Sequence, residues 1–100
     1  MYPTSRVKQV VGLVARQVKE RLGPNSRIIW FGSWITGSAR RTSDIDLAIE
    51  MDGGVPKSEY AQLAAWIDED LPTLYRVDLV NLDEVGETLR QEILSKGIAV

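Results

Sequence analysis

The hydrophobic positions near the start of the chain recur at the spacing of a helix. They follow the order i, i+3, i+4 and i+7 and comprise Val7, Val10, Val11, Val14, Val18 and Leu22. Thr4 or Ser5 is a suitable N-cap, because a side-chain oxygen can accept a hydrogen bond from a free backbone N–H group. The Gly-Pro-Asn sequence at 23–25 ends the helix. The pattern predicts a first helix with one apolar face.

Two further apolar stripes predict helices later in the chain. One helix opens at Pro56 and ends before Pro72, since the residue before proline avoids helical angles. Its apolar face comprises Tyr60, Leu63, Ala64, Ile67 and Leu71. The last helix is capped by Asn81 or Asp83 and ends at Gly97. Its apolar positions are Val85, Leu89 and Ile93.

Three short stretches have the pattern of strands. Residues 27–31 are rich in β-branched and aromatic side chains, whereas residues 44–51 and 76–80 alternate polar or small with large apolar side chains. A short helix is predicted over residues 33–39. The order α-β-α-β-α-β-α predicts an α/β (α+β) fold, a small mixed β-sheet with helices on one face and part of the other face open.

Two aspartates stand two residues apart where the second strand begins. Residues i and i+2 of a strand share a face, so Asp44 and Asp46 point one way while Ile45 and Leu47 point into the core. Paired carboxylates repel, and a divalent cation removes that conflict. An isolated Asp-x-Asp is more often a solvated strand edge, so the metal interpretation depends on what lies beside it.

A Gly-Ser turn follows the first strand. Gly32 permits close backbone approach, and Ser33 offers a hydroxyl beside free N–H groups, which suit a phosphate. Placing this turn beside the two acids favours antiparallel pairing of the first two strands. Acids beside a phosphate site predict phosphoryl or nucleotidyl transfer. Turn chemistry alone also explains Gly32 and Gly37, and the residues leave that alternative open.

The composition is that of a small globular domain and limits the residue types available for catalysis. The chain has 100 residues, 44% of them hydrophobic and 26% charged, which fits a single domain spanning residues 1–100. It contains no cysteine and no histidine, so acid–base and metal chemistry fall to carboxylates. We expect a cytoplasmic protein without a membrane segment. The net charge of −2 predicts no strong direct binding to nucleic acid.

The spacing of the Gly-Ser turn and the paired acids resembles the motif of a known family. Gly32-Ser33, ten residues and then Asp44-Ile45-Asp46 are similar to the DNA polymerase β-type nucleotidyltransferase superfamily, in its minimal nucleotidyltransferase (MNT) branch. That family carries a third carboxylate on a later strand, and Asp78 stands in such a strand. The resemblance covers residues 28–80 and implies a nucleotidyltransferase fold.

The resemblance also implies a site and a reaction. It implies that two Mg²⁺ ions are held by catalytic carboxylates, namely Asp44, Asp46 and Asp78. It implies that ATP, the substrate, is held at Gly32, Ser33 and Gly37. Small members of this branch resemble antitoxins that transfer AMP from ATP to a tyrosine of a HEPN (higher eukaryote and prokaryote nucleotide-binding) toxin. The implied partner is a helical toxin encoded by an adjacent gene.

Two alternatives to this reaction stay open. The chain could be a non-catalytic antitoxin that neutralises its toxin by binding, or a nucleotidyltransferase subunit that modifies a small molecule. The sequence leaves the acceptor, the base preference and the oligomeric state open. Trp34 stands where many relatives carry a basic or small polar residue; a tryptophan there could stack on a base or contact a partner, and its role is left open. Arg40 and Arg41 are expected to be solvated.

Overall fold

Eight elements of secondary structure make up the computed structural model, which describes all 100 residues. They are α1 (Ser5–Leu22), β1 (Ser26–Phe31), α2 (Ser33–Thr36), β2 (Ile45–Met51), α3 (Lys57–Glu69), β3 (Val77–Asn81), α4 (Glu87–Lys96) and β4 (Ile98–Ala99). The predicted order is confirmed through α4, and the two-residue strand β4 is an addition. No helix has the length and apolar character needed to cross a bilayer.

The four strands form one mixed sheet in the order β3-β2-β1-β4. β1 pairs antiparallel with β2 and with β4, whereas β2 and β3 are parallel. A parallel pair needs a crossover connection, which α3 supplies. The predicted mixed sheet and the predicted antiparallel pairing of the first two strands are therefore both confirmed.

The main core lies between the sheet and the helices α1 and α3. Alternation along β2 sends Ile45, Leu47 and Ile49 to this side, and all three are fully buried. The valine stripe of α1 meets them, because its helical spacing puts every one of its valines on a single face. This core holds the strands whose ends carry the candidate site.

The opposite face of the sheet is covered in part by α4. Ile93 of α4 is fully buried there against Ile29 and Ala48, which are neighbours across β1 and β2. The prediction that all helices lie on one face is therefore wrong for α4. The reason is that these strand residues make an apolar patch that would otherwise face water. The same face remains open where the acids lie, as predicted.

Element boundaries differ from the prediction by one residue at β1, which begins at Ser26, and at β3, which spans Val77–Asn81. Three further differences concern α2, β2 and α4. α2 ends at Thr36, short of residue 39, because Gly37 adopts a left-handed conformation that terminates the helix. β2 begins one residue after Asp44. Asn81 and Asp83 do not cap α4: the Asn81 side chain accepts a hydrogen bond from the backbone of Asp83 at 3.1 Å and forms a turn. α4 begins later, after Gly86.

Candidate active site

The strand register places two of the predicted acids side by side. Asp46 pairs with Asp78 across the parallel strands, and Phe31 pairs with Asp46 on the other side. The end of β1 and the beginnings of β2 and β3 therefore meet at one corner of the sheet. Asp44 immediately precedes β2 at the same corner. The structure brings together the three predicted carboxylates and the turn that follows Phe31.

Gly32 lies directly against the carboxylate of Asp46. Its φ of +85° belongs to the left-handed region that favours glycine. A β-carbon at this position would lie 3.0 Å from Cγ of Asp46 and 3.1 Å from its Cβ, closer than side chains normally pack. The turn and the acid therefore share one small space that any larger residue would fill.

Ser33 begins the single helical turn that follows. Its backbone oxygen accepts hydrogen bonds from the N–H groups of Gly37 and Ala39, which fixes the turn, while its hydroxyl makes no hydrogen bond within the chain. Gly32 and Ser33 line a groove of about 260 Å³ that also includes Ser38 and, from α4, Glu92 and Lys96. We call this space the α2–α4 groove. Its free hydroxyl and its lysine are suited to phosphate oxygens.

Lys96 is a candidate phosphate-binding residue that the sequence analysis did not identify. Its ammonium lies 3.8 Å from the carboxylate of Glu92, one helical turn earlier, and is exposed. A lysine in the last turn of a helix is ordinarily explained by the helix dipole, so the sequence carried no signal of a second role. Only the packing of α4 beside the Gly-Ser turn brings Lys96 to the groove.

The three carboxylates interact electrostatically. The pKa of Asp46 is raised from 3.8 to about 6, chiefly by burial and then by the negative charges of Asp78 and Asp44. A cation at this corner would remove the repulsion. Carboxylate oxygens are ligands that Mg²⁺ prefers, so the chemistry of these side chains suits the metal that the family resemblance implies.

Arg76 supplies a positive charge at the same corner. Its Nε donates a hydrogen bond to Oδ1 of Asp78 at 3.2 Å and lies 3.9 Å from Oδ2 of Asp44. No three acidic side chains converge on a single point in a ready-made metal cage. Sequence reasoning missed this contact, although the i, i+2 spacing of Arg76 and Asp78 on a strand indicates a shared face.

Gly37 has a structural role in the turn. It ends α2 in a left-handed conformation with φ +85°, and a β-carbon there would lie 2.7 Å from Oη of Tyr2. It is not among the residues that line the α2–α4 groove. A nucleotide contact at Gly37 therefore stays a prediction without support from its position.

Trp34 is buried, which rules out both roles considered for it, stacking on a base and contacting a partner. Only 1% of the residue is exposed. Its Nε1 donates a hydrogen bond to the backbone oxygen of Ser43 at 3.1 Å, and its ring packs edge-on against Tyr75. Because Trp34 follows Ser33 and Ser43 precedes Asp44, this bond connects the Gly-Ser turn to the acidic strand. Arg40 and Arg41 are exposed, as predicted.

Solved structures share this architecture. A toxin–antitoxin with AMP-PNP superposes with a TM-score of 0.67 at 25% identity, over 92% of this chain and 70% of that chain. The toxin–antitoxin MntA–HepT gives a TM-score of 0.65 at 22% identity, over 92% of this chain and 69% of that chain. The likeness confirms the nucleotidyltransferase fold that the motif implies.

A family model identifies the chain more directly. No curated protein matches it. The model described as polymerase beta, nucleotidyltransferase matches residues 17–100, which include the Gly-Ser turn and all three acids. The chain therefore belongs to the polymerase β nucleotidyltransferase family.

Proposed function

We propose that the chain is a magnesium-dependent nucleotidyltransferase that transfers AMP from ATP to a tyrosine of a helical HEPN toxin, and that it thereby acts as an antitoxin. The observation that carries this proposal is the meeting of Asp46 and Asp78 with Gly32-Ser33 at one corner of the sheet. The likeness to toxin–antitoxin structures supports the antitoxin role, and AMP-PNP in one of them supports ATP as the nucleotide.

Two grooves flank the acids and suggest separate binding sites for the nucleotide and the acceptor. The α2–α4 groove lies on the side of Gly32 and Ser33. A groove of about 520 Å³ lies on the other side, between α3 and β3, and its lining includes Asp78, Arg76, Ile67 and Leu71. We assign the triphosphate to the first groove and the acceptor to the second. Asp46, central in the register, lies between them.

The carboxylates then have separate tasks. Asp44 and Asp46 would hold both metal ions, and Asp78 would hold the ion beside the acceptor. When bound, these ions would lower the pKa of the attacking hydroxyl and neutralise charge on the leaving group. The tyrosine oxygen forms a bond to the α-phosphorus as the bond to the β-phosphate oxygen breaks, and pyrophosphate leaves. In this proposal Asp78 would accept the hydroxyl proton.

Co-expression with the helical toxin encoded beside the chain tests this function. We expect the toxin to be neutralised and its intact mass to increase by about 329 Da for each AMP attached. The Asp44→Asn chain should neither modify nor neutralise it. Asp52→Asn is the matched control, because Asp52 is an exposed aspartate beyond the other end of β2.

One outcome would replace catalysis by binding. If Asp44→Asn neutralises the toxin as well as the wild type and no mass is added, the antitoxin acts by covering its toxin. A transfer of AMP to a small molecule, with the toxin unmodified, would instead identify a small-molecule-modifying enzyme.

A further inference from the structure

Arg76 is held beside the acids by its backbone as well as by its side chain. Its carbonyl oxygen accepts a hydrogen bond of 2.9 Å from the N–H group of Ile45, the residue between Asp44 and Asp46. The guanidinium therefore starts from a fixed position next to the acidic strand. From there its Nε lies 3.2 Å from Asp78 and 3.9 Å from Asp44.

The position of Arg76 conflicts with a metal ion at the same carboxylates. An oxygen that pairs with a guanidinium offers less electron density and less space to a divalent cation, and two cations at one site repel. The acids do not converge around a single point in this arrangement. A metal must therefore displace the guanidinium before Asp44 and Asp78 can both bind it.

We propose, on the basis of the proposed function, that Arg76 is a positioning residue that acts as an internal counter-ion. It pairs with Asp44 and Asp78 in the metal-free chain and leaves when a divalent cation binds. Its side chain is 75% exposed, so it can swing into solvent at little cost. The free chain then binds metal weakly, and nucleotide phosphates, which add ligands of their own, favour loading of metal and ATP together.

Titration of Mn²⁺ into the nucleotide-free chain, followed by electron paramagnetic resonance, tests this role. Arg76→Gln removes the competing charge, and we expect it to tighten Mn²⁺ binding by about threefold to tenfold, the range for two exposed ion pairs. Arg76→Lys keeps the charge but loses the planar guanidinium. We expect its affinity for Mn²⁺ to lie between that of the wild type and that of Arg76→Gln.

Arg41→Gln is the matched control for charge alone. Arg41 is exposed and lines the same surface groove as Asp44 and Arg76. It forms no ion pair with Asp44 or Asp78. We expect its Mn²⁺ affinity to equal that of the wild type. Melting curves followed by circular dichroism establish that each variant is folded.

The outcomes separate this inference from the proposed function. If Arg76→Gln and the wild type bind Mn²⁺ equally, or if Arg41→Gln tightens binding as much, Arg76 is not the counter-ion, while the metal site itself stands. If neither the wild type nor any variant binds Mn²⁺, with or without AMP-PNP, both the counter-ion and the metal-dependent function are overturned.

Discussion

The carboxylate of Asp46 packs directly against the backbone of Gly32, so a β-carbon on the glycine would lie 3.0 Å from Cγ of the acid. This contact joins the two parts of the candidate site, the turn that follows β1 and the acidic beginning of β2. Antiparallel pairing produces it, since Phe31 and Asp46 are partners across the strands. A phosphate held by the turn would therefore lie beside an ionisable group.

Replacing Gly32 by alanine should destabilise the chain and remove binding of AMP-PNP with Mn²⁺. The cost has two parts, the left-handed backbone and the clash with Asp46. Gly53→Ala is the control, because Gly53 has φ +80° but no atom near its added β-carbon. We expect chemical denaturation to give a loss of about 1–2 kcal/mol for Gly53→Ala and a larger loss for Gly32→Ala. Equal losses, with binding intact in both, would contradict the close contact.

Replacing Asp46 by asparagine should stabilise the metal-free chain at neutral pH. Because the folded chain raises the pKa of Asp46 from 3.8 to about 6, its favourable contribution is present below the unfolded pKa and is lost as pH rises through the folded pKa. Above that window the ionised carboxylate opposes folding. After allowance for solvent screening we expect Asp46→Asn to raise the free energy of unfolding by about 1–2 kcal/mol.

Chemical denaturation in the presence of a chelator, over a range of pH, checks whether Asp46→Asn raises or lowers the free energy of unfolding. The advantage of Asp46→Asn should shrink as the pH falls from about 7 towards 4. Saturating Mg²⁺ with AMP-PNP should reverse the order, because only the wild type can hold the metal. If the free energies of unfolding of the two chains change in parallel with pH across this range, the pKa of Asp46 is not raised in the folded chain.

Replacing Ser33 by alanine should weaken nucleotide binding without changing stability. The Ser33 hydroxyl makes no hydrogen bond within the chain, so its loss leaves no internal partner unsatisfied. Calorimetry with AMP-PNP and Mg²⁺ should show a loss of about threefold to tenfold, the value of one hydrogen bond. Ser58→Ala, on the exposed side of α3, is the control and should bind as the wild type does. Unchanged affinity in Ser33→Ala would exclude Ser33 as a phosphate ligand.

Replacing Trp34 by phenylalanine should lower the free energy of unfolding. The change removes the indole N–H that donates to Ser43 and leaves that backbone oxygen without its partner, at a cost of about 1–3 kcal/mol. Trp66→Phe is the comparison, since Trp66 is only partly buried and its indole forms no hydrogen bond. A smaller loss for Trp34→Phe than for Trp66→Phe would show that the bond to Ser43 does not stabilise the fold.

The sequence predicted the acidic part of the site because strand alternation is local. The two-residue period alone put Asp44 and Asp46 on one face, and the same period put Asp78 on the corresponding face of its strand. The antiparallel pairing followed from the need to bring the Gly-Ser turn to those acids. The shared face required only the order of residues along the strand, whereas Asp78 was singled out by the family resemblance and the pairing by the function expected of the site.

The parts that the sequence did not predict depend on tertiary packing. α4 lies on the second face because Ile29 and Ala48 form an apolar patch only after β1 and β2 have paired. Lys96 reaches the α2–α4 groove only through that packing. Trp34 stands next to a functional motif, and nothing in its neighbours along the chain showed that Tyr75 and Ser43 would enclose it.

We propose that this corner of the sheet transfers the AMP part of ATP to a protein. The most direct measurement incubates the chain and its cognate toxin with ATP labelled at either the α- or the γ-phosphorus, and follows the label on the toxin. We predict that the α label alone is transferred, that chelation of Mg²⁺ stops transfer, and that Asp46→Asn abolishes it. Transfer of the γ label would indicate a phosphoryl transferase instead. Undiminished α-label transfer by Asp46→Asn would show that the acids at this corner do not catalyse the transfer.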